Sequence, residues 1–202
     1  MKLISRILSL IFSPLIVPFY CLTVVFFITP LYTLPLNNRL IAILIIFIMT
    51  FAFPIVTIWG LKYLKIIKDF GLNDRKERFI PYALEILWAL ITLWCLYRMH
   101  APSWMLLFIT GGIIAILINL SINFFWKISG HLAAMGSATA LMAYLYITGL
   151  NISNGLVWLC CTIILSGIIG SARGILYRHT IGQIGAGYLN GLVTTCITIF
   201  LF

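Results

Sequence analysis

Arg173, five intervening residues and His179 stand where one long apolar segment ends and the next begins. Keeping an arginine and an imidazole at a membrane boundary is costly, so their presence calls for a chemical reason. A guanidinium offers a planar, two-pronged donor set that fits phosphate. An imidazole can attack an electrophile or move a proton near neutral pH. Phosphate handling is the first chemistry this pair suggests. Six residues is close to two helical turns, so both side chains would face one pocket on a helix, while Arg178 would point toward lipid head groups.

Two other polar places could serve the same chemistry. Lys127-Ile128-Ser129-Gly130-His131 opens another apolar run. Ser129 is a natural N-cap there, and a helix start presents free N–H groups and a positive dipole end to an anion. The stretch from Lys68 through Arg75, Lys76, Glu77 and Arg78 to Pro81 is a mixed charge run. Such a run is usually a solvated loop between membrane helices, yet Lys68, Arg75 and Arg78 carry the groups that bind phosphate. Cys21, Cys95, Cys160, Cys161 and Cys196 lie in apolar segments with no Cys-x-x-Cys spacing, so they read as packing residues rather than a zinc site or disulfide framework.

The elements that must position these residues are membrane helices. Hydrophobic residues make up 63% of the 202 and charged ones 8%, and the mean hydropathy is +1.15. The expectation is an integral membrane protein, all-α, folded as a single bundle over residues 1–202. Apolar runs of bilayer length fall near 7–29, 40–63, 81–98, 104–126, 132–149, 155–172 and 183–202, giving six to seven spans. No small-x-small cleavage site follows Lys2 and Arg6, so the first run reads as an uncleaved helix. Gly170-x-x-x-Gly174 and Gly187-x-x-x-Gly191 predict close helix packing. Trp94, Trp104, Trp126 and Trp158 near the span ends predict interfacial anchors.

Each span carries the chain to the opposite face. The run 65–80, the junction 127–131 and the junction 173–182 are two spans apart, so all three fall on one face. The formal charge of +9 sits mostly in short loops on that face, where it sets topology or meets anionic head groups, and nucleic acid is excluded as a partner. Only Arg39 and Arg98 fall on the other face, with His100, so the positive-inside count puts the motif face in the cytoplasm.

Taken in order, the three segments resemble the type 2 phosphatidic acid phosphatase superfamily, related to the vanadium haloperoxidases. Its pattern is Lys-x6-Arg-Pro, then Pro-Ser-Gly-His, then Ser-Arg-x5-His-x3-Asp. Here Ser129-Gly130-His131 matches with Ile128 for proline. Arg173-x5-His179 matches with Ala172 inserted after Ser171 and Gln183 in the place of the aspartate. Lys68-x6-Arg75 has the spacing with Lys76 following, and Arg78 is nearer to Pro81. The resemblance covers about residues 65–195.

It implies a metal-independent phosphatase without cofactors, acting on a lipid phosphate or polyprenyl (pyro)phosphate in a bacterial inner membrane. By position, His179 would attack phosphorus and His131 would protonate the leaving oxygen. Arg173, Lys68, Arg75, Arg78, Ser129 and Gly130 would bind the phosphate, and Gln183 would orient the nucleophile. Glutamine can accept a hydrogen bond there but supplies no charge. The chain has only four acids, Asp69, Asp74, Glu77 and Glu85, that could replace it. Glu85 lies about one turn into a span, where an ionisable group faces a protein interior or pairs with a loop cation such as Arg78. The alternative is a non-catalytic phospholipid-binding or transporting protein that kept the cationic pocket.

Overall fold

The computed structural model describes residues 1–68 and 76–201, and every regular element among them is helical. In order these are α1 (Lys2–Ile11), α2 (Val17–Ile28), α3 (Leu36–Phe47), α4 (Phe53–Tyr63), α5 (Phe79–Arg98), α6 (Ser103–Ile122), α7 (Gly130–Ile147), α8 (Gly155–Ile175) and α9 (Ile181–Leu201). Helices α3 and α4 run on through a π-turn at Ile48–Ala52 as one rod. Pro54 brings no N–H to the ladder, and the Phe53 N–H reaches back five residues to the Ile48 carbonyl. Among the described residues, five helical rods are long and apolar enough to cross a membrane: Leu36–Tyr63, α5, α6, α8 and α9.

The expected first span, 7–29, is two helices. Phe12–Ile16 breaks it around Pro14, and Pro18 sits in the first turn of α2, where a missing N–H costs nothing. Helix α1 packs on α8 and turns Ser5 and Ser9 inward, while Leu3, Ile4, Ile7 and Leu10 are exposed. This is an amphipathic helix with its polar stripe toward protein and its apolar face outward. The fifth expected span is α7, the most enclosed helix, in which residues from Leu132 to Leu145 are largely buried. Its Ala133, Ala138 and Ala140 leave room for neighbours on several sides. Trp104, expected as an anchor, is instead a core side chain.

Small residues set the closest contact in the bundle, between α7 and α9. A Cβ at Gly191 would collide with the Ala133 carbonyl, and one at Gly187 with the Ser129 carbonyl. The second small-residue pair behaves differently. Gly170 meets Ile184 Cγ2, which would lie 3.3 Å from an added Cβ, while Gly174 faces open space. Gly191→Ala is therefore expected to lower the thermal midpoint by overpacking worth about 1–3 kcal/mol. Gly174→Ala, whose added Cβ meets open space within α8, should instead raise it slightly in the same melting experiment, by helix propensity worth about 0.5–1 kcal/mol.

Helices α4, α5, α7 and α8 end alike. A left-handed residue follows each C-cap (Lys65, His100, Gly149 and Tyr177), and the next N–H returns to the carbonyl five residues back. This Schellman closure satisfies the last carbonyls and reverses the chain. Ile152 N–H donates to the Ile28 carbonyl at 2.8 Å, tying the end of α2 to the α7–α8 connection at one end of the bundle. The start of α5, the 123–129 segment, the 176–180 segment and α1 gather at the other, as the alternation of spans predicts.

Candidate functional site

The local chain reversal brings Arg173 and His179 together, not two turns of one helix. Arg173 lies in the last turn of α8. Tyr177 takes the left-handed conformation at φ 53°, Arg178 N–H bonds the Arg173 carbonyl at 3.1 Å, and His179 returns beside the guanidinium. Both side chains are only 8% exposed. From just before α5, Arg78 Nη1 reaches the Ile128 carbonyl at 3.4 Å, and the rings of Phe79 and Phe124 pack at 4.6 Å. That contact holds the α5 start against the segment leading into α7. Ser129 is fully buried, and its N–H bonds the Gln183 carbonyl at 3.3 Å. This backbone bond couples the starts of α7 and α9.

The site is strongly cationic. Burial pushes the His179 pKa down to about 3, aided by Arg173, Arg78, Lys127 and His131 in that order. Burial also lowers the Lys127 pKa, with Arg78, Arg173 and Arg178 adding to it. Arg178, read from sequence as lipid-facing, thus belongs to the same field. At neutral pH His179 is an uncharged imidazole among four cations. Among the described residues, Arg173 Nε, His179 Nδ1 and Ser129 Oγ are buried without a hydrogen-bond partner. Buried polar atoms are rarely left unpaired, and Arg173 Nε and His179 Nδ1, in a field of guanidinium groups, have the chemistry to take an anion as partner.

Several residues sit differently from their sequence reading. Gln183 does not hold His179: its Oε1 accepts the Thr180 N–H at 3.2 Å and Thr180 Oγ1 accepts the Gln183 N–H at 3.4 Å. Thr180 and Gln183 form a capping box at the start of α9, which occupies the amide. Ser129 precedes α7 with extended backbone but makes no side-chain cap bond, so its hydroxyl remains available. Lys68 is exposed and paired with Glu77, Nζ to Oε1 3.7 Å. Arg75, Asp69 and Asp74 lie outside the described residues. Gly130 faces Tyr82, whose hydroxyl oxygen would lie 3.5 Å from an added Cβ, and Tyr82 is hydrogen-bonded with Arg78.

Ser9 is the contact that sequence reading missed. Arg173 Nη1 donates to Ser9 Oγ at 2.6 Å. His131 Nε2 lies 3.0 Å from the Ser9 carbonyl and 3.2 Å from its Oγ. A carbonyl only accepts, so His131 carries its proton on Nε2. The available signal was two serines four apart, Ser5 and Ser9, on one face of an otherwise apolar helix.

Below Tyr82 and Gly130 an apolar cavity runs into the bundle between α2, α4, α5, α6 and α7. Pro18, Trp88, Phe108 and Ala134 line it, and Glu85 is its one acidic side chain among the described residues.

His179 makes the fold pH-sensitive. Its folded pKa lies below the unfolded value of about 6.5, so the unfolded chain binds the proton first as pH falls. Stability should therefore drop by up to about 1.4 kcal/mol per unit between pH 6.5 and 3, and rise again on return to neutral pH. Thermal scans from pH 7 to 5 should show a shallower decline in His179→Gln. No family model, curated protein or solved structure matches the chain.

Proposed function

We propose that this membrane protein removes phosphate from a lipid phosphate or polyprenyl (pyro)phosphate at the cationic end of the bundle. The observation that carries this reading is the cluster of unpartnered buried atoms, Arg173 Nε, His179 Nδ1 and Ser129 Oγ, in a field set by Arg78, Lys127, Arg173 and Arg178. It agrees with the resemblance to the type 2 phosphatidic acid phosphatases. The adjoining apolar cavity suits the substrate's hydrocarbon chain, because it begins at Tyr82 and Gly130, at the edge of the anion site.

In the reaction, Arg173 and Arg78 hold the non-bridging oxygens and stabilise the charge that spreads over them. Neutral His179 attacks phosphorus as the ester P–O bond breaks. With the phosphate's charge beside it, His131 carries a proton on each ring nitrogen and gives the one on Nε2 to the leaving oxygen. Water then attacks the phosphohistidine, His131 takes its proton, and inorganic phosphate leaves. Positioning and charge stabilisation supply most of the rate in such transfers.

One observation favours a second function. Gln183 is engaged in the α9 capping box and leaves His179 Nδ1 unheld, as suits a protein that binds phospholipid without turning it over. Phosphate release from long-chain lipid phosphates by purified protein in chelator separates the two. Turnover supports the phosphatase, and saturable binding without release supports the second function.

A further inference from the structure

We infer that α1 is a strap that closes the anion site, with Ser9 standing in for the oxygens of the phosphate ester, and that an anion enters only as α1 lifts. The identity of that ester rests on the phosphatase reading, while the closure rests on geometry alone. Arg173 Nη1 and His131 Nε2 are the two donors that phosphate and leaving group would need, and both are spent on Ser9. Under α1 the site has almost no surface: Arg78, Arg173 and His179 are at most 8% exposed and Ser129 is fully buried.

The hold of α1 is light where it meets the site. Ser5 Oγ bonds its own helix, at the Met1 carbonyl, while Ser9 meets Arg173 and His131. At the far end the Lys2 ammonium lies 5.8 Å from the centroid of the exposed Tyr177 ring, a contact of modest strength at an exposed position. Leu3, Ile4, Ile7 and Leu10 face outward, where a bilayer would cover them, and a helix sliding in the interface keeps those contacts. The Phe12–Ile16 segment, with Pro14, connects it to α2. A phosphate oxygen carries the charge that the Ser9 hydroxyl lacks and can pair with the guanidinium through two parallel bonds, so an arriving phosphate displaces Ser9 from Arg173.

The test uses the full-length protein in lipid nanodiscs with inorganic phosphate as the probe, and needs no turnover. Ser9→Ala removes the competing hydroxyl and is expected to tighten phosphate binding about tenfold. In a second variant, Ser5→Cys, Ser9 is kept and the thiol reports the buried face of α1. Phosphate should speed its labelling by a water-soluble maleimide several-fold over the background from native cysteines. Equal phosphate affinity in wild type and Ser9→Ala, or labelling of Ser5→Cys that phosphate does not change, overturns the strap. Tight phosphate binding with faster labelling but no release from any lipid phosphate leaves the strap standing and removes the phosphatase.

Discussion

His179→Ala is expected to lower phosphate release from a lipid phosphate by about a thousandfold or more, because removing a covalent nucleophile leaves only binding and charge stabilisation to accelerate the reaction. The loss is chemical rather than structural. His179 Nδ1 has no partner among the described residues, so the variant breaks no hydrogen bond to them at that atom, and α9 keeps its Thr180–Gln183 cap. Neutrality is what equips the imidazole for attack: burial beside Arg173, Arg78 and Lys127 holds its pKa at about 3, so a lone pair is available throughout the physiological range. His100 provides the control. It stands at the opposite end of the bundle in the left-handed position after α5, a conformation asparagine also accepts, and His100→Asn should release phosphate at the wild-type rate. Binding of inorganic phosphate should survive in His179→Ala, because the guanidinium groups of Arg173 and Arg78 remain.

Gln183→Asp is expected to raise turnover by about ten- to a hundredfold, the worth of a hydrogen bond to a charged group of about 1.5–3 kcal/mol. An aspartate four residues after His179 places a carboxylate in the first turn of α9, where the helix dipole favours negative charge. There it can accept the Nδ1 proton, fix the tautomer that leaves the other nitrogen free, and offset the positive charge that develops on the attacking ring. Glutamine does none of these in this fold, since its amide carries no charge and its oxygen is committed to the Thr180 N–H. A stopped assay on both proteins reads the ratio directly. Release that appears only in the aspartate variant assigns the native chain to phospholipid binding, and equal rates in both show that position 183 is purely a helix cap.

Much of this arrangement was legible in the sequence. Alternation of faces put the Arg78, His131 and His179 segments at one end of the bundle, because span parity depends only on counting apolar runs. Gly187 and Gly191 announced the α7–α9 contact, since glycine at four-residue spacing lets two backbones approach. The failures have separate physical causes, the first being that hydropathy averages report how apolar a stretch is and not which way its side chains point. Residues 7–29 are apolar throughout, yet Pro14 and Pro18 divide them and the inward serines of α1 lay that helix over the site. Place in a motif points Gln183 at His179, while Thr180 three residues earlier completes a local capping box that involves no other element. Arg178 was assigned to lipid on the assumption of a continuing helix. The Schellman turn at Tyr177 invalidates helical phase beyond α8 and puts Arg178 within the field of Lys127.

The central claim is that His179 accepts the phosphoryl group in a pocket organised by Arg173. The most direct measurement is to mix purified protein in chelator with a radiolabelled lipid phosphate, quench in alkali, where phosphohistidine survives, and map the label. Label is expected on the peptide containing His179 in the wild-type chain, with none in His179→Ala and more in Gln183→Asp. Phosphate release that continues undiminished in His179→Ala, or label resting on another residue, would contradict it.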